Sequence, residues 1–212
     1  MKLQNKMKKN NPFLILLAAL LVLTLSACAT RGQEAPALYD LGPMAAEQRN
    51  PLQLQDNPPF LLTTVQPSSW LDNTMIYYRL AYRDNQQTRV YANSRWNMPP
   101  AKLFEQRLKS RIAAAGGVAL PAKDGVGGIL LRLELEDFSQ RFDDAEHSVA
   151  QVELRVSALK GRTLLGQKTF RQTSPSRSAD AVGGAKALAV ASDALITETM
   201  IWLVQLQQRT ND

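Results

Sequence analysis

From residue 129 onward, apolar and charged positions alternate. Ile129, Leu131, Leu133 and Leu135 are apolar, and Arg132, Glu134 and Glu136 between them are charged. Successive side chains of a strand point to opposite faces, so this pattern predicts a strand with one buried and one solvated face. Ala150, Val152, Leu154, Val156 and Ala158 repeat it against Gln151, Glu153, Arg155 and Ser157, after a turn at Asp143-Asp144. A third strand follows the Lys160-Gly161 turn over about 163–172, and Ser174-Pro175-Ser176 breaks it. Upstream, residues 60–65 read as a strand. Residues 75–83 and 88–92, joined by the polar stretch 84–87, predict a β-hairpin.

Two segments carry the helical period instead. Phe104, Leu108, Ile112 and Ala115 step by four and three, with Glu105 and Lys109 paired across one turn on the other side. Pro99-Pro100 can open this helix and Gly116-Gly117 can end it. A long C-terminal helix is predicted over about 179–208, with the stripe Ala185, Leu188, Ala189, Ser192, Leu195, Thr199, Met200, Leu203 and Leu206. No repeat of 20–50 residues is present. The order of strands, helix, strands, helix predicts an α+β fold: an antiparallel sheet with two main helices packed on one face.

That domain spans 60–212. Residues 28–59 are rich in Gln, Asn and Pro and read as a tether, with one strand-like piece at 37–41. Residues 1–27 read as a secretion signal. Lys2, Lys6, Lys8 and Lys9 precede an apolar run at 13–23, which is shorter than the roughly 20 residues a spanning helix needs. Leu25-Ser26-Ala27-Cys28 then resembles a bacterial lipobox. The resemblance implies cleavage before Cys28, which would carry a diacylglycerol and an N-acyl chain. Three acyl chains hold a protein on a bilayer far more firmly than one. The next residue is Ala29 rather than Asp, and similarity to enterobacterial sorting signals then implies the outer membrane, periplasmic face.

Charge removes one class of function. The chain holds 25 bases and 19 acids; without the four N-terminal lysines, 21 bases remain against 19 acids. No electrostatic footprint for nucleic acid is left. One Cys and one His exclude a disulfide framework and an ordinary zinc site. His147 falls beside Asp143, Asp144 and Glu146 in a predicted turn, without the spacing of a calcium loop. Gly125-Val126-Gly127-Gly128 lacks the Lys-Ser/Thr of a phosphate loop and reads as a connector. Glu134, Glu136 and Asp137 read as a solvated face. No catalytic set, metal site or cofactor is predicted, apart from the acyl groups on Cys28.

The remaining signal is aromatic: Trp70, Tyr77, Tyr78, Tyr82, Tyr91 and Trp96 fall within 27 residues. They can fill a core between sheet and helices. Alternatively, Trp70-Leu71 and Trp96-Asn97-Met98 present an apolar surface to a partner. Trp70, Leu71, Trp96 and Met98 are the candidate partner-binding residues.

Tyr39-Asp40-Leu41, Trp70-Leu71-Asp72, Ile76-Tyr77-Tyr78-Arg79 and Tyr91-Ala92-Asn93-Ser94-Arg95-Trp96, followed by Pro99-Pro100 and an amphipathic helix, form a pattern over most of 38–208. It resembles the ABC-type transport auxiliary lipoproteins, the paraquat-inducible C-like partners of MCE lipid transport systems. The resemblance implies a non-enzymatic protein at the outer membrane that docks the MCE-domain protein bridging the periplasm. A homo-oligomer collaring the mouth of a lipid tunnel is compatible with it. Two other roles share the anchor and the fold. One is an assembly or secretion factor that binds an outer-membrane protein or a cell-wall enzyme. The other is a periplasmic lipid carrier, which would need an apolar cavity.

Overall fold

The computed structural model describes residues 35–44, 52–124 and 126–211. The signal segment, the lipobox, Cys28 and Gly125 lie outside the described residues. In chain order the elements are β1 (Ala37–Tyr39), β2 (Phe60–Leu62), β3 (Gln66–Pro67), β4 (Met75–Leu80), β5 (Asp84–Trp96), α1 (Pro100–Ala114), β6 (Ala119–Pro121), β7 (Ile129–Phe142), β8 (Ser148–Lys160), β9 (Thr163–Pro175) and α2 (Ala181–Asn211).

Strand β7 organises the sheet. Along one edge it pairs antiparallel with β8 over its whole length, and β8 pairs antiparallel with β9. Along the other edge lie three short strands in tandem. Residues 60–62, 66–67 and 77–80 run parallel to 129–131, 134–135 and 139–142. β6 extends the sheet beyond β2, and β5 and β1 extend it beyond β4. The class is α+β as expected, but the antiparallel sheet is corrected to a mixed one of nine strands, in which five of eight pairings are parallel. Period-2 patterning fixes which face is buried, not which strand lies alongside. The long connection through β5, α1 and β6 supplies the crossover that parallel strands need.

Ile129, Leu131, Leu133 and Leu135 are buried, and Arg132 and Glu134 are exposed, as the alternation requires. The phase then shifts. A bulge between Leu135 and Asp137 places Phe138, Gln140 and Phe142 on the helix side. The hairpin turn falls at 81–83, earlier than predicted, with Arg83 N–H donating to Leu80 O at 2.9 Å. The polar residues 84–87 belong to β5, whose outer edge is covered only at 94–96 and so tolerates them.

Part of the presumed tether is structural. β1 pairs parallel with β5, Leu41 and Leu54 are buried, and the compact unit begins at Pro36. The start of the domain therefore moves from residue 60 to residue 36.

Helix α1 opens with Pro100 in its first turn and buries Phe104, Leu108 and Ile112. Its end is a Schellman turn: Gly116, at φ +78°, donates to Ala113 O and Gly117 donates to Ile112 O. Helix α2 packs on β7, β8, β9 and α1. It is long and apolar enough to cross a membrane, but 56% of its most apolar stretch is buried inside the domain. Both helices and the inward faces of the strands form one core.

Candidate functional site

The four residues expected to meet a partner separate. Trp96 is 1% exposed and sits edge-on to Phe138 with ring centroids 5.4 Å apart; Leu71 is fully buried. Both are corrected to core positions, because the strand parity of β5 and the tight turn at 69–71 point them inward. Trp70 and Met98 stay partly exposed and pack against the rim of the core.

Trp70 is held in a built arrangement. Its ring lies edge-on to Tyr77 at 5.0 Å, and the Arg79 guanidinium stands 5.6 Å from the ring centre. Asn73 fixes the turn: its amide donates to Trp70 O and to the Tyr77 hydroxyl, both at 2.9 Å, and its Oδ1 accepts from Met75 N–H at 2.8 Å. Tyr77 and Arg79 pair with Ser139 and Arg141, so the cluster borders the open face of the sheet.

On that face a polar pocket of about 330 Å³ is lined by residues including Arg79, Asp137, Ser139, Gln151, Glu153 and Arg171. The bulge turns Asp137 into it, where burial raises its pKa despite hydrogen bonds from Ser139 Oγ at 2.7 Å and Gln151 Nε2 at 2.8 Å. Glu134 and Glu136 instead flank Arg155, and Glu153 holds Arg171 at 2.7 Å. His147 is exposed in its turn with Nδ1 2.8 Å from Asp144, which raises the imidazole pKa. Among the described residues, no group of His, Cys, Asp or Glu could hold a metal ion.

Tyr82 is exposed in the hairpin turn, and Tyr78 and Tyr91 lie on the helix side. Tyr78 contacts Tyr91 and Phe142. The Tyr91 hydroxyl donates to Gln140 Oε1 at 2.8 Å, and Gln140 Nε2 donates to Ser148 Oγ at 2.8 Å. Burial raises the Tyr91 pKa, so the phenol stays protonated. Gly184 makes this arrangement fit: a Cβ there would stand 2.1 Å from Gln140 Oε1.

Sequence reasoning missed a buried ion pair. Arg107 Nε and Nη2 donate to the two oxygens of Asp193, both at 2.7 Å, and Nη1 and Nη2 also reach Gly42 O at 2.8 Å and Leu41 O at 3.3 Å. One guanidinium thus joins α1, α2 and the segment after β1. The signal was present: Arg107 lies three residues after Phe104 and one before Leu108, on the apolar face.

Beside this pair runs a groove of about 750 Å³ between β1 and the N-terminal half of α2. Its walls include Leu38, Pro43, Val182, Ala189 and Val190, with Asp40 and Lys186 as its charged residues.

A family model described as the ABC-type transport auxiliary lipoprotein component matches residues 39–199. A sequence search among curated proteins finds no match. Among solved structures, a Xanthomonas campestris protein of the DUF330 family is similar at 20% identity, with a TM-score of 0.67, over 84% of this chain and 97% of that one. A second crystal structure, of an uncharacterized protein, is similar at 17% identity and a TM-score of 0.59, over 80% of this chain and 99% of the other. These likenesses establish a shared fold.

Proposed function

Because the chain belongs to the ABC-type transport auxiliary lipoprotein family, we propose that it is anchored through acylated Cys28 to the outer membrane, faces the periplasm, and docks the MCE-domain protein of a lipid transport system. Its role is accessory and non-catalytic. The ATPase and permease of such a system lie at the other membrane, and lipid crosses water only at high cost, so a conduit between the two needs a seal at its far end.

The observation that carries the docking role is the cluster of Trp70, Tyr77 and Arg79. Trp, Tyr and Arg dominate binding energy at protein interfaces. Here all three meet at one partly exposed site; Asn73 holds Trp70 and Tyr77, and the carbonyls of Asn85 and Gln86 hold Arg79, before any partner arrives. The filled interior favours docking over carrying: Phe60, Phe104, Phe138 and Phe170 occupy the space between sheet and helices.

The test is a photo-crosslinking side chain at position 70 of the full-length protein in intact cells, with partners identified by mass spectrometry. Recovery of an MCE-domain protein is the expected result. Recovery only of an outer-membrane barrel or a cell-wall synthase would replace this reading with the assembly-factor role. Stoichiometric lipid on the purified protein would replace it with the carrier role.

A further inference from the structure

We propose that the groove between β1 and α2, with the outward stripe of α2, rests against the lipid bilayer that holds the protein. The proposal rests on the anchor at Cys28 set out above.

Three observations lead to it. The first is the stripe itself. The outward positions of α2 are Val182, Lys186, Val190 and Ala194, four residues apart, and Ile201 two turns further on. Val182, Val190 and Ile201 are all at least 40% exposed, and across the groove Leu38 is 67% exposed. A helix covering a core normally turns a charged face to water. From Val182 to Ile201 this one is largely apolar on both sides: Asp193 is engaged with Arg107 and Glu198 with Lys168 and Gln172, and the remaining charge, Arg209, lies in the last turn, away from the groove.

The second is the length of chain before the groove. Its first wall is β1, whose pairing starts at Ala37. Only eight peptide units separate Cys28 from Pro36, and a fully extended chain of that length reaches at most about 30 Å. The expected tether of 28–59 would have allowed roughly three times as much. A cysteine embedded by its acyl chains therefore brings β1, and the groove with it, close to the headgroups.

The third is charge. Lys186 projects from the middle of the stripe, four residues from Val182 and four from Val190. A lysine lays its methylene stem along apolar surface and lifts its ammonium group to the phosphate level. Asp40 on the opposite wall and Asp180 at the start of α2 share its field, and lipid phosphates add a partner at the membrane surface. Lipid is thus the occupant that matches the apolar walls, the central cation and the short lead.

The chain has a single cysteine, so once Cys28 is acylated an introduced cysteine is the only thiol. Val182→Cys, Val190→Cys and Thr163→Cys, the last at the far end of the sheet, are labelled with a fluorophore. The mature lipidated proteins are reconstituted in vesicles of phosphatidylethanolamine and phosphatidylglycerol. A quencher carried on the lipid headgroup should dim the labels at 182 and 190 several-fold more than the label at 163. Equal dimming at all three sites overturns the proposal. Shielding of 182 and 190 in cells but not in vesicles overturns it in favour of a protein partner. If the unsubstituted protein takes up the thiol label, Cys28 is free, and the anchor reading itself fails.

Discussion

Asp193 sits 3% exposed inside the domain with both oxygens committed to Arg107, itself 8% exposed. Replacing Asp193 by Ala removes two charge-assisted hydrogen bonds at 2.7 Å and leaves the guanidinium buried, with only Leu41 O and Gly42 O as partners. Removing one member of a buried pair costs about 3–5 kcal/mol, much of it the isolated charge that remains. At about 2–4 °C per kcal/mol for a domain of this size, the melting temperature should fall by roughly 10 °C. The double change Arg107→Met with Asp193→Leu removes both charges and keeps the volume. It should recover most of the loss, since apolar replacements of buried pairs are often neutral or better. Urea unfolding followed by far-ultraviolet circular dichroism, on a chain begun at residue 35, measures all three proteins. A single Asp193→Ala loss below about 1 kcal/mol, the range of exposed pairs, would refute the reasoning. So would a double variant less stable than the single one.

Gly184→Ala pits helix propensity against packing. Alanine gains about 1 kcal/mol in a helix, but its Cβ would meet Gln140, which is buried and tied at both ends to Tyr91 and Ser148. A net loss of about 1–2 kcal/mol is expected from overpacking, relieved when Gln140→Ala is added; calorimetry of the single and double variants decides it. Asp180 caps α2: its Oδ1 accepts from Gly183 N–H at 2.8 Å and from Ser178 Oγ at 2.7 Å, and these bonds lower its pKa. A lowered carboxyl stabilises the fold above its unfolded value and loses that contribution as pH falls through the folded one. Melting temperature should therefore drop on acidification below about pH 4, and Asp180→Ala should flatten this dependence while costing about 1 kcal/mol at pH 7. Trp96→Ala should cost about 3–5 kcal/mol, whereas Trp70→Ala should leave the chain folded and weaken crosslinking to its partner; melts and crosslink yields on both variants test the contrast.

The long strands were legible because one face of β7 and β8 is wet and the other dry, and period 2 writes that difference into the order of residues. The ends of α1 were legible because Pro and Gly impose their backbone geometry locally. Pairing partners were not: residues 60–62 read as a strand, but nothing in Phe60-Leu61-Leu62 names Ile129-Leu130-Leu131 as the neighbour. The bulge left a readable trace, the three-residue step from Leu135 to Phe138 in a run that otherwise steps by two. Trp70 and Trp96 look alike in sequence, and only the turn at 69–71 and the parity of β5 send one to the rim and the other inside. The place of Arg107 on the apolar face of α1 hinted at burial, but nothing in the order of residues names Asp193, 86 positions away, as its partner.

The three tandem strands beside β7 also dictate the order of folding. Phe60 must wait for Ile129 and Leu80 for Phe142, partners 62 to 69 positions downstream. Loop-closure entropy is spent before those contacts return anything, so such topologies fold slowly and late. A chain emerging from its N-terminus can pair β1, β5 and β4, and β2 with β6, but nothing joins these pieces into one sheet until residue 142 is available, and α1 closes onto α2 only when Asp193 arrives. Cut short before β7, it would leave three unpaired strand edges and no fold. The domain therefore assembles as one late event, and no N-terminal fragment of it stands alone.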